Sequence, residues 1–272
     1  MRVTVMGAGG FVGARLVRHL REQGHEVQAW QRGAESDFLQ PMGHVVYAVG
    51  LTADFRSKPL ETVEAHVCLL KRLLERGQFD SLTYLSSSRV YGAEGASDES
   101  ARLSVAPSDP SDLYNLSKLM GESLCLHSGR PRMKIARLSN VVGLRADPDT
   151  FIDQLLDEGC RTGRVQLRSA LASAKDYVAL DDAVAMLAGL ALADTQGIFN
   201  VCSGEAVSNG QIVELLQRHM GFEFDLAPDA PLLGSGAVDG RRIQGFLGFI
   251  PRPFGVYFPE FLADFKQAKG MT

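Results

Sequence analysis

A chain of 272 residues with 45% apolar content is long enough for one large α/β domain, or for a nucleotide-type domain with a smaller appendage, and can bury a sizeable core. A net charge of -4 argues against a nucleic-acid surface, although Arg outnumbers Lys 21 to 7. Cys68, Cys125, Cys160 and Cys202 form no C-x-x-C pair and the six histidines show no metal-ligand spacing, so neither a metal site nor a redox dithiol is expected.

The amino terminus runs straight into a strand-like segment with no charged leader, and no run reaches the roughly 18 apolar residues of a membrane span. A soluble, cytoplasmic protein is the expectation. Residues 3–6 read as a buried strand, 11–23 as an amphipathic helix and 26–31 as a second strand, together one βαβ unit. A strand at 44–49, a helix at 60–76 with Val63, Val67, Leu70 and Leu74 on one face, and a strand at 82–85 continue the alternation. After a polar stretch at 93–112 come a helix at 113–126 and a strand at 134–138. The regularity then loosens into a helix at 151–162, a short strand at 165–167, an apolar helix at 181–193, a strand at 197–201 and a helix at 211–220. The last fifty residues cluster Gly, Pro and Phe, which predicts loops over a pocket and a final helix at 259–267. The expected fold class is α/β, a Rossmann-like doubly wound parallel sheet (1–140 plus 176–203) with a smaller C-terminal substrate-binding lobe (141–175 plus 204–272) and a ligand crevice between them.

Gly7, Gly10 and Gly13 follow the first strand directly and open the first helix. Missing β-carbons allow a tight turn and close approach of a pyrophosphate, which the free amides and dipole of the helix favour. Phe11 and Val12 belong to the same turn, and Ala48 and Val49, at the end of the third strand, are candidates for the same cofactor site. At the end of the second strand, Ala29-Trp30-Gln31-Arg32-Gly33 has no carboxylate for a ribose 2′-hydroxyl and presents Arg32 instead. Such a cation pairs with a 2′-phosphate, which favours NADP(H) and leaves NAD(H) possible. Tyr114 and Lys118 are four residues apart, so they lie on one helix face and can act on one atom. Upstream, Ser86-Ser87-Ser88 ends a strand-like run in hydroxyls.

Taken in this order, the glycines, the segment Ser86-Ser87-Ser88-Arg89-Val90-Tyr91-Gly92 and the Tyr114/Lys118 pair resemble the extended short-chain dehydrogenase/reductase superfamily. Within it the chain is similar to the NAD(P)-dependent epimerase/dehydratase family, which acts mainly on nucleotide sugars. The segments Arg137-Leu138-Ser139-Asn140-Val141-Val142-Gly143, Lys175-Asp176-Tyr177-Val178-Ala179-Leu180-Asp181-Asp182 and Phe199-Asn200-Val201-Cys202-Ser203-Gly204 extend the likeness over nearly the whole length. The resemblance implies that Ser87 holds the substrate oxygen, that Tyr114 donates or removes its proton, and that Lys118 draws the tyrosine pKa toward neutrality and reaches the nicotinamide ribose. It also implies Asn140 as a nucleotide-phosphate contact and a homodimer formed through the helices at 60–76 and 113–126. Ser88, Arg89 and Arg164 are further substrate candidates, with Arg168, Arg241 and Arg242 as other charged groups for a pyrophosphate.

Two departures narrow the expectation. Only about a dozen residues separate Arg32 from the strand at 44–49, so a helix and a strand usual in the family are absent, leaving Asp37 in what reads as a surface loop. Ser88 and Arg89 stand where water-eliminating members carry an acid pair, which disfavours a dehydratase because elimination needs a general acid and a base. The leading expectation is reduction of a keto group on a nucleotide sugar. The alternatives are an epimerase with tightly bound NAD, a reductase of a small non-nucleotide ketone, and a non-catalytic dinucleotide sensor.

Overall fold

Val3, Val5 and Met6 are fully buried because the first strand runs through the middle of a parallel sheet whose two faces are both covered by helices. The computed structural model describes residues 1–51, 55–92, 97–145, 150–234 and 236–271. In chain order its elements are β1 (Arg2–Met6), α1 (Phe11–Glu22), β2 (Glu26–Trp30), β3 (Pro41–Tyr47), α2 (Pro59–Val63), α3 (Leu69–Arg76), β4 (Gln78–Ser87), α4 (Asp112–His127) and β5 (Met133–Leu138). There follow β6 (Asn140–Val142), α5 (Phe151–Thr162), β7 (Arg164–Leu167), β8 (Ala174–Ala179), α6 (Leu180–Leu192), β9 (Gly197–Val201), β10 (Ala206–Ser208), α7 (Asn209–Met220), β11 (Glu223–Leu226), α8 (Arg241–Leu247) and α9 (Phe254–Lys269).

The main sheet has six strands in the order β2-β1-β3-β4-β5-β9, all parallel. Chain order reverses between β1 and β3, so a crevice opens at their carboxyl ends, where a doubly wound sheet takes its ligand. α1 and α6 cover one face, with Leu16, Leu20, Val184 and Leu187 in the core, and α3 covers the other with Leu70 and Leu73. β2 is the sheet edge on its side. The stretch beyond it is not the simple surface loop expected: residues Glu35–Leu39 form a 3-10 turn whose fully buried Phe38 stacks on Trp30 at 5.8 Å and joins the core on the α3 face of the sheet.

The helix expected at 60–76 is split, because one π-helical turn (Glu64–Cys68) separates α2 from α3. A second core, built from α5, α7, α9 and the small strands, contains Leu156, Ile212, Phe254 and Phe258. α5 and α7 each start at a reciprocal cap, Thr150 with Asp153 and Ser208 with Gln211, and each ends at a left-handed glycine, Gly163 and Gly221. α9 begins five residues before Pro259, earlier than expected, because Phe254, Tyr257, Phe258 and Phe261 are buried along one face of it and that burial outweighs the donor lost at the proline. β8 joins the two cores: its Val178 packs with α6 while Tyr177 and Ala179 face the second core, the alternation that a strand imposes.

Candidate functional site

Gly7 sits at φ +82°, and a β-carbon there would lie 2.5 Å from the Ala48 carbonyl oxygen. At Gly13 a β-carbon would meet the Gly7 oxygen at 2.2 Å. The first turn of α1 therefore packs on the end of β1 at a distance only glycine allows. Gly10 is the N-cap with no side-chain cap, and no acid occupies the first turn, so the amides and positive dipole end stay available to an anion. This cradle fits a dinucleotide pyrophosphate.

Gly10, Phe11, Val12 and Gly13 form one wall of a cleft of about 500 Å³, continued by Ala48 and Val49. Its other end carries Ser87, Tyr114 and Lys118. A larger cavity of about 750 Å³ adjoins it across Phe11 and Arg145, but none of the three candidate catalytic residues lines it, so the smaller cleft is the candidate site. β4 delivers Ser87 at its carboxyl end, and α4 presents Tyr114 and Lys118 one turn apart.

Tyr114 is 6% exposed, and the Ser87 hydroxyl is close enough to its phenol to lower the phenol pKa. Ser87 Oγ accepts from the Arg89 amide at 3.2 Å. Burial raises the Tyr114 pKa, opposed by the Ser87 hydroxyl and the Arg89 charge, so the phenol holds its proton at neutral pH. Lys118 is 4% exposed, donates to the Leu85 carbonyl at 2.9 Å, and has its pKa pushed down to about 7 by burial, with Glu122 opposing. Burial therefore leaves the Tyr114 pKa raised and not drawn toward neutrality as expected. Both the Lys118 ammonium and the Arg89 guanidinium stand over its ring, 5.9 Å and 5.7 Å from the centroid, and of the two it is the Arg89 charge that lowers the phenol pKa.

Asn140 lines the cleft with its amide donating to the Asp176 carbonyl at 2.8 Å, and Arg89 lines it beside Tyr114. Ser88 is buried outside the cleft lining. Arg164 is not brought to the cleft; it is exposed on β7 and pairs with Glu223 at 2.7 Å and Asp225 at 3.3 Å. Arg168 and Arg241 are also exposed, near Glu158 and paired to Asp239 respectively, and Arg242 lies over Phe199. Arg32 is exposed two residues past the end of β2, level with the glycine turn because Trp30 pairs with Met6.

Several supporting residues were not found from sequence. Glu122, one turn below Lys118, accepts from Arg137 Nη2 at 2.7 Å and from Ser86 Oγ at 2.5 Å. Arg137 also donates to the Tyr91 hydroxyl (3.0 Å), which donates to Asn200 (2.7 Å). This buried chain fixes β4, β5, β9 and α4 together under the reactive end. His66, fully buried in the π turn, stands edge-on to the Tyr114 ring at 5.3 Å. Ser117 Oγ donates to the Tyr114 carbonyl and so accepts from His66 Nδ1, both at 2.8 Å, while His66 Nε2 accepts from the Leu51 amide at 3.3 Å. Burial and Lys118 push its pKa down to about 2, so it is neutral. Arg145, ion-paired to Asp153, and Lys175 also line the cleft. Among the described residues no group of three or more His, Cys, Asp or Glu could hold a metal ion, and no helix is long and apolar enough to cross a membrane.

A family model for the NAD dependent epimerase/dehydratase family matches residues 3–202. GDP-6-deoxy-D-mannose reductase of Pseudomonas aeruginosa is 28% identical over 90% of this chain and 88% of its own length. Among solved structures, a UDP-glucuronic acid 4-epimerase variant from Bacillus cereus, in complex with a fluorinated UDP-glucuronic acid and NAD, superposes with a TM-score of 0.83 at 19% identity, covering 98% of this chain and 100% of that one. RMD from Pseudomonas aeruginosa, complexed with NADPH, gives a TM-score of 0.78 at 20% identity, covering 98% and 100%.

Proposed function

The chain belongs to the NAD dependent epimerase/dehydratase family, and we propose that within it the protein reduces a keto group on a nucleotide sugar, with Tyr114 as the acid. The observation that carries this reading is the buried Tyr114 phenol, beside the Ser87 hydroxyl and protonated at neutral pH, in a cleft that runs back to the glycine cradle. When bound there, a reduced nicotinamide supplies the hydride. Ser87 and Tyr114 together hold the carbonyl oxygen, and Tyr114 releases its proton to it as the alcohol forms. Lys118, held by the Leu85 carbonyl, is placed to meet the cofactor ribose. His66 and Ser117 fix the Tyr114 ring and backbone.

A raised phenol pKa suits a donor better than a base, which sets reduction ahead of epimerisation, where the same group must first remove a proton. The relatives include both reductases and epimerases, so the epimerase stays as the second reading. Its sign would be NAD that co-purifies and is not exchanged. Arg32, level with the glycine turn, is proposed to take a 2′-phosphate and to favour NADP(H) over NAD(H). The lobe of 141–175 plus 204–272 is proposed as the substrate side, with Asn140 and Arg89 as contacts. Leu60 on α2 and Met120 and Leu126 on α4 expose apolar surface, which supports a homodimer through these helices. Unpaired cysteines suit a reducing cytoplasm. Tyr114→Phe is the test: NADPH should bind as before while reduction falls at least about a hundredfold, and retained turnover would remove Tyr114 from the chemistry.

A further inference from the structure

Three of the cations around the glycine cradle and its neighbouring cavity are neutralised: Arg15 by Asp181, Arg145 by Asp153, and Arg252 by Asp182 and Glu260. The reactive end of the cleft differs. Arg89 lines it with its guanidinium 5.1 Å from the Phe55 ring centroid and 5.7 Å from that of Tyr114. Among the described residues no carboxylate is within ion-pair distance of Arg89. Asp109 and Asp112 act on it only from further away, and Asp112 already accepts from the Ala106 amide and Asn115. Arg56 adds a second cation, 4.6 Å from the Phe55 ring centroid and donating to Ser111 Oγ at 2.9 Å, and its charge repels that of Arg89.

Lys175 enters the same cleft from β8, half-buried against Phe151, and has no counterion among the described residues. Arg89 is close enough to lower its pKa. Two like charges facing one cavity repel each other, and the cavity withholds the water that would screen them; an anion between them relieves both costs. The position matters as much as the charge. Arg89 lies against the ring whose hydroxyl meets the reacting oxygen, so its guanidinium addresses a substituent next to the reacting carbon. A pyrophosphate on the far side of a sugar ring belongs nearer the Asn140 wall.

Resting on the dinucleotide-dependent reading above, we propose that Arg89, with Lys175 facing it, binds a carboxylate on the carbon next to the one that exchanges hydride. The substrate is then an acidic keto sugar of the uronic-acid type and not a neutral hexose.

The probes are glucuronate 1-phosphate and glucose 1-phosphate, which differ only in the carboxylate and carry no base, repeated with UDP-glucuronate and UDP-glucose. Each is titrated calorimetrically into NADPH-loaded protein, with which these alcohols cannot react. The acidic member of each pair should bind about tenfold to a hundredfold tighter. Arg89→Ala should bring that ratio close to one by lowering the affinity of the acidic member far more than that of the neutral one, and Lys175→Met should lower it in the same direction. Equal affinities in the wild type overturn the proposal, as does failure of both sugar phosphates and both UDP-sugars to bind. A loss of both pair members together in Arg89→Ala would place the guanidinium on the phosphate and also overturn it. If neither NADPH nor NADH binds at all, the dinucleotide reading falls first and takes this one with it.

Discussion

Replacing Lys118 with Met keeps the length of the side chain and removes its titration, which isolates the electrostatic cost of the buried amine. In the folded protein the Lys118 pKa is pushed down to about 7, whereas an unfolded lysine titrates near ~10.4. Between those values the unfolded chain binds a proton that the folded chain does not, so the contribution to stability rises with pH by about 1.4 kcal/mol per unit. Below the folded pKa both states are protonated, the slope is zero and the full burial penalty is present. Urea unfolding of wild type and Lys118→Met at fixed ionic strength gives the difference between them, in which other titrating groups cancel. The Leu85 carbonyl loses its donor equally at every pH, so it shifts the offset and not the slope. From about pH 7.5 to about pH 9.5 the wild type should gain about 2–3 kcal/mol on the variant. A flat difference would mean that the amine ionises as it does in the unfolded chain, and the low-dielectric account of this end of the cleft would be wrong.

Gly13→Ala places a β-carbon 2.2 Å from the Gly7 carbonyl oxygen, backbone against backbone. Overpacking of that kind costs about 1–3 kcal/mol, so NADPH affinity measured by fluorescence titration should fall about tenfold to a hundredfold. Gly9→Ala has nothing within 4 Å of the new atom and should bind normally. Glu122→Gln leaves the Arg137 guanidinium, 3% exposed, without its counter-charge; chemical denaturation should show a loss of about 3–5 kcal/mol. Arg32→Ala should weaken NADPH binding by about tenfold to a hundredfold and leave NADH unchanged, and equal losses for both cofactors would remove the 2′-phosphate from its account.

The parts of this protein that were legible in its sequence are those set by neighbours in the chain. The β1-α1-β2 unit, the three glycines and the Tyr114/Lys118 spacing depend on local periodicity and on backbone geometry, which a few consecutive residues determine. The missing strand beyond β2 was also readable, from the short interval before β3. What could not be read depends on pairing between distant elements. Arg164 is exposed because β7 and β11 lie side by side, with Arg164 opposite Glu223, 59 residues away, and those acids claim it before any ligand could. Glu122 and Arg137 look like two ordinary charged residues until α4 settles on β5. His66 gives no sequence sign of touching Tyr114, since that contact needs α4 and the π turn to pack together.

Tyr114 and Lys118 show where sequence spacing stops being informative. Four residues on a helix bring two β-carbons to one face, and to that extent the pair was correctly read. The direction of the longer side chain is decided underneath the helix, by which acceptor lies within reach. Here the Leu85 carbonyl at the end of β4 takes the ammonium, which lies 5.1 Å from the Tyr84 ring centroid and 5.9 Å from that of Tyr114. The Arg89 guanidinium lies over the same Tyr114 ring at 5.7 Å and lowers the pKa of its phenol. An arginine that the sequence placed two residues past a serine thereby gains influence over the proton on Tyr114 as well as over the anion proposed beside it. Removing Arg89 should accordingly raise the Tyr114 pKa further, so the alkaline limb of a pH–rate profile would move up in Arg89→Ala. A limb that stays in place would show that the guanidinium acts on the substrate alone.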